Sequence, residues 1–151
     1  MRVRKFRPED AKECSRIILH NFRTINSSED PKATIRKLIE DSSPKKLIEK
    51  SKERKYFVAV EKEGILGIGG YDKSELHTFF VKPKLHGKGV GKKIIKRVLD
   101  EARKDKIKVM KCASSLYAEK FYASFGFKRV RRKTIPFHRS TLTFIEMVKK
   151  L

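Results

Sequence analysis

Val81-Lys82-Pro83-Lys84-Leu85-His86-Gly87-Lys88-Gly89-Val90-Gly91-Lys92 is the segment from which the architecture can be read. It leaves an apolar stretch, passes through a basic turn with glycine at alternate positions, and enters an amphipathic helix. Glycines let a backbone approach an anion without Cβ obstruction, and the unpaired N–H groups of the following helix point at the same place. The segment therefore predicts a strand, a phosphate cradle and a helix in that order.

Working outward, Ile94, Ile95, Val98, Leu99 and Ala102 form one stripe of a helix from about Val90 to Lys104. Upstream, Tyr56-Phe57-Val58-Ala59-Val60 and Ile65 to Tyr71 flank the tight turn Glu61–Gly64 as an antiparallel hairpin, and Leu76 to Val81 adds a third meander strand. Arg2 to Phe6 reads as a short strand. Pro8-Glu9-Asp10 then opens a helix with Ala11, Cys14, Ile17, Ile18 and Phe22 at helical spacing. Two short basic helices follow, one with Ile35, Leu38 and Ile39, the other opened by Ser43-Pro44 and carrying Leu47 and Ile48. Downstream, Ile107 to Cys112 is a strand reached through a helical crossover, hence parallel to the one before it. Ser114-Ser115 caps a helix bearing Leu116, Phe121, Tyr122 and Phe125 and ended by Gly126. Phe127 to Val130 and Thr141 to Val148 are the last strands, with Arg131 to His138 expected as the loop between them.

A chain of 151 residues with 38% hydrophobic content supports one compact domain spanning residues 1–151. No apolar run approaches the roughly 20 residues that cross a bilayer, and the basic start lacks a signal peptide's apolar stretch, so a cytoplasmic protein without membrane contact is expected. Cys14 and Cys112 are too few for a disulfide framework, and each is expected as a small buried apolar residue. His20, His77, His86 and His138 lack paired ligand spacing, so no metal site is expected. Charge is the outlier, with 39 Lys and Arg against 18 Asp and Glu for a net +21. Such a field attracts anions, and nucleic acid, acidic substrates and polyphosphate cofactors all qualify. A thermophile surface also uses many charges, but its ion-pair networks need balanced signs.

The glycine turn fits neither common nucleotide fingerprint. A Walker A loop would place Gly at His86 and Ser or Thr at Lys93; a Rossmann turn would place its third glycine at Lys92. His86-x-x-Gly89-x-Gly91, after Phe79-Phe80-Val81-x-Pro83, instead resembles the acyl-CoA-binding motif [R/Q]xxGxG/A of the GNAT family of N-acetyltransferases. Ser115-Leu116-Tyr117-Ala118-Glu119-Lys120-Phe121-Tyr122-Ala123-Ser124-Phe125-Gly126-Phe127 resembles that family's second signature, Asn-x-x-Ala with a Phe/Leu-Tyr pair closing on Gly-Phe. His86 replaces the usual Arg or Gln, and Ser115 replaces the common Asn. The resemblance covers residues 56–130 by motif and the remainder by element order.

The resemblance implies an α+β fold, a single domain with a mixed, mostly antiparallel twisted sheet of about six to seven strands flanked by helices. It implies acetyl-CoA as cosubstrate, without a metal, and transfer of an acetyl group to a primary amine by direct attack. The cofactor-binding residues would be Phe79, Phe80, Val81, His86, Gly87, Lys88, Gly89, Val90, Gly91, Lys92, Ser115 and Ala118. Amides of Lys88, Gly89, Val90, Gly91 and Lys92 suit a pyrophosphate, and Lys84, Lys88, Lys92 and Lys93 can add charge. The pantetheine arm would pair with the strand edge at Phe79-Phe80-Val81.

Acetyl transfer from a thioester needs a neutral amine, a donor for the tetrahedral oxyanion and a proton for the leaving thiolate. Tyr122 stands where this family commonly places the acid, and the oxyanion donor would be the N–H of Phe80 or Val81. For the base, Glu75 and His77 share a strand face two residues apart, and a bulk-water route stands beside them. The resemblance implies a small-molecule or peptide amine as acceptor. The basic surface disfavours polycations unless the mouth is locally acidic, with Glu29, Asp30, Glu40 and Asp41 as the nearby acids, and favours an amine on an anionic body. The alternative class is a basic nucleic-acid- or ribosome-associated binding module on the same fold. A monomer or a homodimer fits, and Thr141 to Val148 could pair across a dimer as readily as complete its own sheet.

Overall fold

The computed structural model describes residues 1–151. Seven strands make one sheet in the order β1-β2-β3-β4-β5-β7-β6: β1 Arg2–Lys5, β2 Lys55–Glu61, β3 Gly64–Asp72, β4 Glu75–Val81, β5 Val109–Ser114, β6 Lys128–Phe137 and β7 Ser140–Lys150. All pairings are antiparallel except β4 with β5. The helices are α1 Ala11–Thr24, α2 Lys32–Glu40, α3 Pro44–Lys50, α4 Val90–Lys104 and α5 Glu119–Ser124.

The sheet separates two hydrophobic clusters because side chains alternate along a strand. On β2, Phe57 and Ala59 join the cluster under α4, while Tyr56 and Val58 join the one under α1 and α3. Every residue of the predicted α4 stripe is buried, together with Val90. At roughly 1.5–3 kcal/mol for each large aliphatic side chain taken from water, this stripe alone anchors α4 to the sheet.

β4 carries the irregularity that shapes the rest. Gly70 pairs with His77 and Ile68 with Phe80, so Thr78 and Phe79 together oppose Gly69 as a β-bulge. Thr78 takes φ 57° there, and its hydroxyl lies 3.1 Å from that of Tyr56. A Cβ on Gly69 would lie 2.5 Å from the Phe79 ring, so only glycine lets that ring rest on the sheet. Beyond the bulge β4 and β5 part: their one registered pair is Glu75 with Lys111, where the Lys111 N–H donates to Ser74 O at 2.7 Å. The sheet opens from there as a wedge.

Three expectations need correction. β5 starts two residues later than predicted and runs to Ser114, so Ser114 is a buried strand residue rather than a cap. α5 begins only at Glu119; Ser115 Oγ accepts the Ala118 N–H at 3.2 Å in a turn ahead of it, and Leu116 lies outside the helix. Arg131 to Phe137, expected as loop, is strand, and the hairpin turns at His138 and Arg139, with His138 at φ 53°. That run shows no apolar alternation because β6 is an edge strand, and from Lys128 to Arg132 both of its faces meet solvent. β7 is paired on both sides, by β5 and β6, from Ile145 to Val148, and by β6 alone from Ser140 to Phe144.

Candidate active site

The turn after β4 is built for an anion. Gly87 and Gly89 hold φ 77° and 88°, a left-handed conformation that costs an L-residue roughly 1–2 kcal/mol, and a Cβ at either would project into open space. Within the protein, the amides of Gly87, Gly89, Val90, Gly91 and Lys92 donate to no acceptor; the helix ladder begins with Lys93 N–H to Gly89 O at 3.2 Å. These unpaired N–H groups sit at the positive end of the α4 dipole. Lys88 differs from the expected set, because its N–H closes the turn on Leu85 O at 3.2 Å. The donor set suits a pyrophosphate.

His86 braces this turn. Its Nε2 lies 2.8 Å from Val81 O and its Nδ1 3.1 Å from the Tyr117 hydroxyl. A carbonyl only accepts, so Nε2 carries the proton, and in the neutral ring Nδ1 accepts from Tyr117. Val81 O also accepts from Asn21 Nδ2 at 2.9 Å. The Tyr117 N–H in turn donates to Glu29 Oε1 at 2.7 Å, and Glu29 Oε2 receives Asn26 Nδ2 at 2.6 Å. One chain of bonds thus joins α1, the end of β4, the glycine turn, the β5–α5 turn and the α1–α2 loop.

The wedge between β4 and β5 is occupied by a cavity of about 1060 Å³, and 18 of its 33 lining residues are hydrophobic, which marks it as an apolar site with few polar groups. Glu75, His77, Phe79, Phe80, Val81, His86, Gly87, Gly89, Gly91, Lys92, Ser115, Ala118 and Tyr122 all line it. Lys88 and Val90 do not: Lys88 points outward, and the Val90 side chain is buried in the core. Lys84 and Lys93 are also absent from its walls, as are Glu40 and Asp41, both of which lie close to Lys37 on α2.

Lys82 N–H donates to Leu66 O at 2.9 Å, so by antiparallel alternation Phe80 exchanges its bonds with β3 while Val81, opposite Gly67, turns its N–H and C=O toward the wedge. Of the two amides expected as oxyanion donors, only that of Val81 is free to face the cavity.

Tyr122 is buried among Phe79, Phe121 and Phe127, with ring centroids 6.0, 5.3 and 5.7 Å away. Burial, and then the adjacent Cys112, push its phenol well above the usual value. Burial likewise raises the Cys112 thiol to about 12, so it stays protonated and chemically quiet. Glu75 and His77 do share a face, opposite buried Leu76. Burial first, and then Arg54, lower the His77 pKa below its usual 6.5, so the ring is a neutral proton acceptor near physiological pH.

Sequence reasoning placed Glu29 and Asp30 near the mouth, where they do line the cavity, but missed the rest of two walls. Asn21 and the Asn26–Asp30 loop close one side, and Ile135, Leu142 and Phe144 of the β6–β7 hairpin close another. The available signal for the first was Asn21 itself, a polar residue on the apolar stripe between Ile18 and Phe22, now 3% exposed.

Residues 22–151 match the family model of the acetyltransferase (GNAT) domain. No curated protein matches the chain by sequence. Among solved structures, a GCN5-related N-acetyltransferase from Rhodopseudomonas palustris superposes with TM-score 0.90 at 18% identity, covering 99% of this chain and 95% of that one. The PaiA N-acetyltransferase of Thermoplasma acidophilum, solved in complex with coenzyme A, gives 0.81 at 20% identity over 99% and 98% of the two chains. The yncA protein of Salmonella typhimurium, solved with its cofactor acetyl-CoA, gives 0.70 at 19% identity over 99% and 93%. At these identities the likeness speaks for the fold.

Proposed function

The chain belongs to the GNAT acetyltransferases, and on that premise we propose that it moves an acetyl group from acetyl-CoA to a primary amine by direct attack. The observation that carries this reading is the set of unpaired amides at Gly87, Gly89, Gly91 and Lys92, residues that line the same cavity as Tyr122. The amides and the Lys92 ammonium hold the cosubstrate's phosphates. Phe79 and Val81 offer the splayed edge of β4 to its pantetheine arm.

Bound acetyl-CoA supplies an acyl group activated as a thioester, with a thiol as leaving group. His77 takes the proton of the attacking amine, with Glu75 on the same face as the alternative acceptor. The Val81 N–H donates to the oxygen that gains charge as the amine attacks. Tyr122 delivers a proton to the leaving sulfur. Its raised pKa keeps it protonated throughout the working range, and the same apolar surroundings raise the thiolate's basicity. Calorimetry with acetyl-CoA at moderate salt, followed by thiol release across a panel of amines, tests the reading; absence of acetyl-CoA binding overturns it.

A second reading rests on a separate observation. Between Glu119 and Glu146 the chain contains no acidic residue, and this tract forms β6, exposed from Lys128 to Arg132. Arg129 and Arg131 meet Glu119 and Glu146, at 3.5 and 3.0 Å, while Lys128, Arg132 and Lys133 have no carboxylate partner. This favours docking of a nucleic-acid backbone along β6. RNA binding that weakens steeply with salt, and less steeply in a Lys128/Arg132/Lys133→Ser variant, is the expected result.

A further inference from the structure

Strand parity divides the active-site cavity into two halves. In β7, Ile145 and Met147 point into the cluster under α4, so Leu142 and Phe144 point to the opposite face, and Ile135 pairs with Leu142 on that face. In β4, Phe80 packs on that same side, where its ring meets Phe22 at 5.2 Å. Leu38 of α2 reaches the cavity from above. The half of the site away from the glycine turn is therefore walled by Phe22, Leu38, Phe80, Ile135, Leu142 and Phe144.

Two of the three carboxylates in this half are hydrogen-bonded, and Glu75, beside His77, is the third. Glu29 uses both carboxylate oxygens on Asn26 and the Tyr117 N–H, and Asp30 Oδ1 accepts the Thr143 N–H at 2.8 Å. The only Lys or Arg on the cavity wall is Lys92, at the glycine turn, so a carboxylate or phosphate on the acceptor would find no cation. The anionic body expected from net charge does not fit this interior.

We infer that the acceptor is a primary amine on an apolar, aryl or alkyl, body that lodges between α2 and the β6–β7 hairpin with its nitrogen toward His77. This rests on the acetyltransferase reading of the same site. Burying such a body separates it from polar amines by about tenfold or more.

The test is initial-rate thiol release by the full chain at saturating acetyl-CoA, comparing 2-phenylethylamine and hexylamine with ethanolamine, glycine and spermidine. The apolar amines should exceed the others in kcat/KM by about tenfold or more. Phe144→Ala and Leu38→Ala, both at half-exposed positions, should lower kcat/KM for phenylethylamine about tenfold and for ethanolamine little, with acetyl-CoA affinity unchanged. Preference for glycine, spermidine or ethanolamine, or equal losses on all amines in both variants, overturns the inference and leaves the enzyme reading standing. Acetyl-CoA binding without turnover of either apolar amine also overturns it. Failure of acetyl-CoA to bind in calorimetry removes the enzyme reading instead, and saturation-transfer NMR with phenylethylamine against ethanolamine still decides which body the pocket prefers.

Discussion

The imidazole Nε2 of His86 donates to the carbonyl oxygen of Val81 across 2.8 Å, tying the first residue of the glycine turn to the last residue of β4. The bond keeps the turn's amides and the wedge edge in one rigid frame, with the Tyr117 ring tilted against the imidazole at 5.6 Å between centroids. His86→Ala should weaken acetyl-CoA binding by roughly fivefold, the worth of a net hydrogen bond of about 1 kcal/mol. His86→Gln, whose amide can reach the same carbonyl, should recover part of that loss. Calorimetry on the three proteins checks the order.

Gly89 carries the left-handed φ of 88° that starts α4. Gly89→Ala should lower stability by about 1 kcal/mol and cosubstrate affinity by about tenfold, because relieving the strain turns the amides away from the anion. Gly126→Ala, also at positive φ, should cost stability with smaller effect on affinity, since Gly126 ends α5 and lies outside the cavity. Thermal melts and calorimetry separate the two.

Proton transfer through His77 predicts an acid limb in kcat/KM. Its pKa lies below 6.5 because burial and Arg54 disfavour the charged ring. The neutral, accepting form is complete near pH 7 and is lost as pH falls through the lowered value. Stability follows the same sign. The unfolded chain takes up the proton first, so acidifying from 6.5 down to the folded value destabilises the protein. His77→Gln should abolish the limb and lower the plateau about 100-fold. An unchanged profile in His77→Gln, with loss in Glu75→Gln, would reassign the base to Glu75.

Tyr122→Phe keeps the ring contacts to Phe79, Phe121 and Phe127 and removes only the hydroxyl. It should leave acetyl-CoA affinity within about twofold and lower kcat about 100-fold or more, the range of a lost general acid. Loss of both together would point to a packing role.

The glycine turn and α4 were legible because each rule pointed the same way: glycines at alternate positions, an apolar stripe at helical spacing, and a strand before them. Tyr122 was legible through its motif and not through periodicity, since it packs like any core aromatic. The hairpin wall was not legible. Ile135, Leu142 and Phe144 share a face only once β6 and β7 are known to pair, and the basic run before them hides the strand. Nor could local pattern reveal Asp30 and Glu29 as structural acceptors, because their partners Thr143 and Tyr117 lie far along the chain.

The two free margins of the sheet are β1, with Arg2, Arg4 and Lys5, and β6, with its run from Lys128 to Lys133. Backbone groups at a sheet margin invite another strand, and like charge is a common way of refusing one. A copy of this chain approaching either margin brings the same sign to it. The net +21 charge therefore acts as colloidal insulation, holding open strands apart at high concentration. Added salt thins that insulation, and the protein's solubility should fall as ionic strength rises.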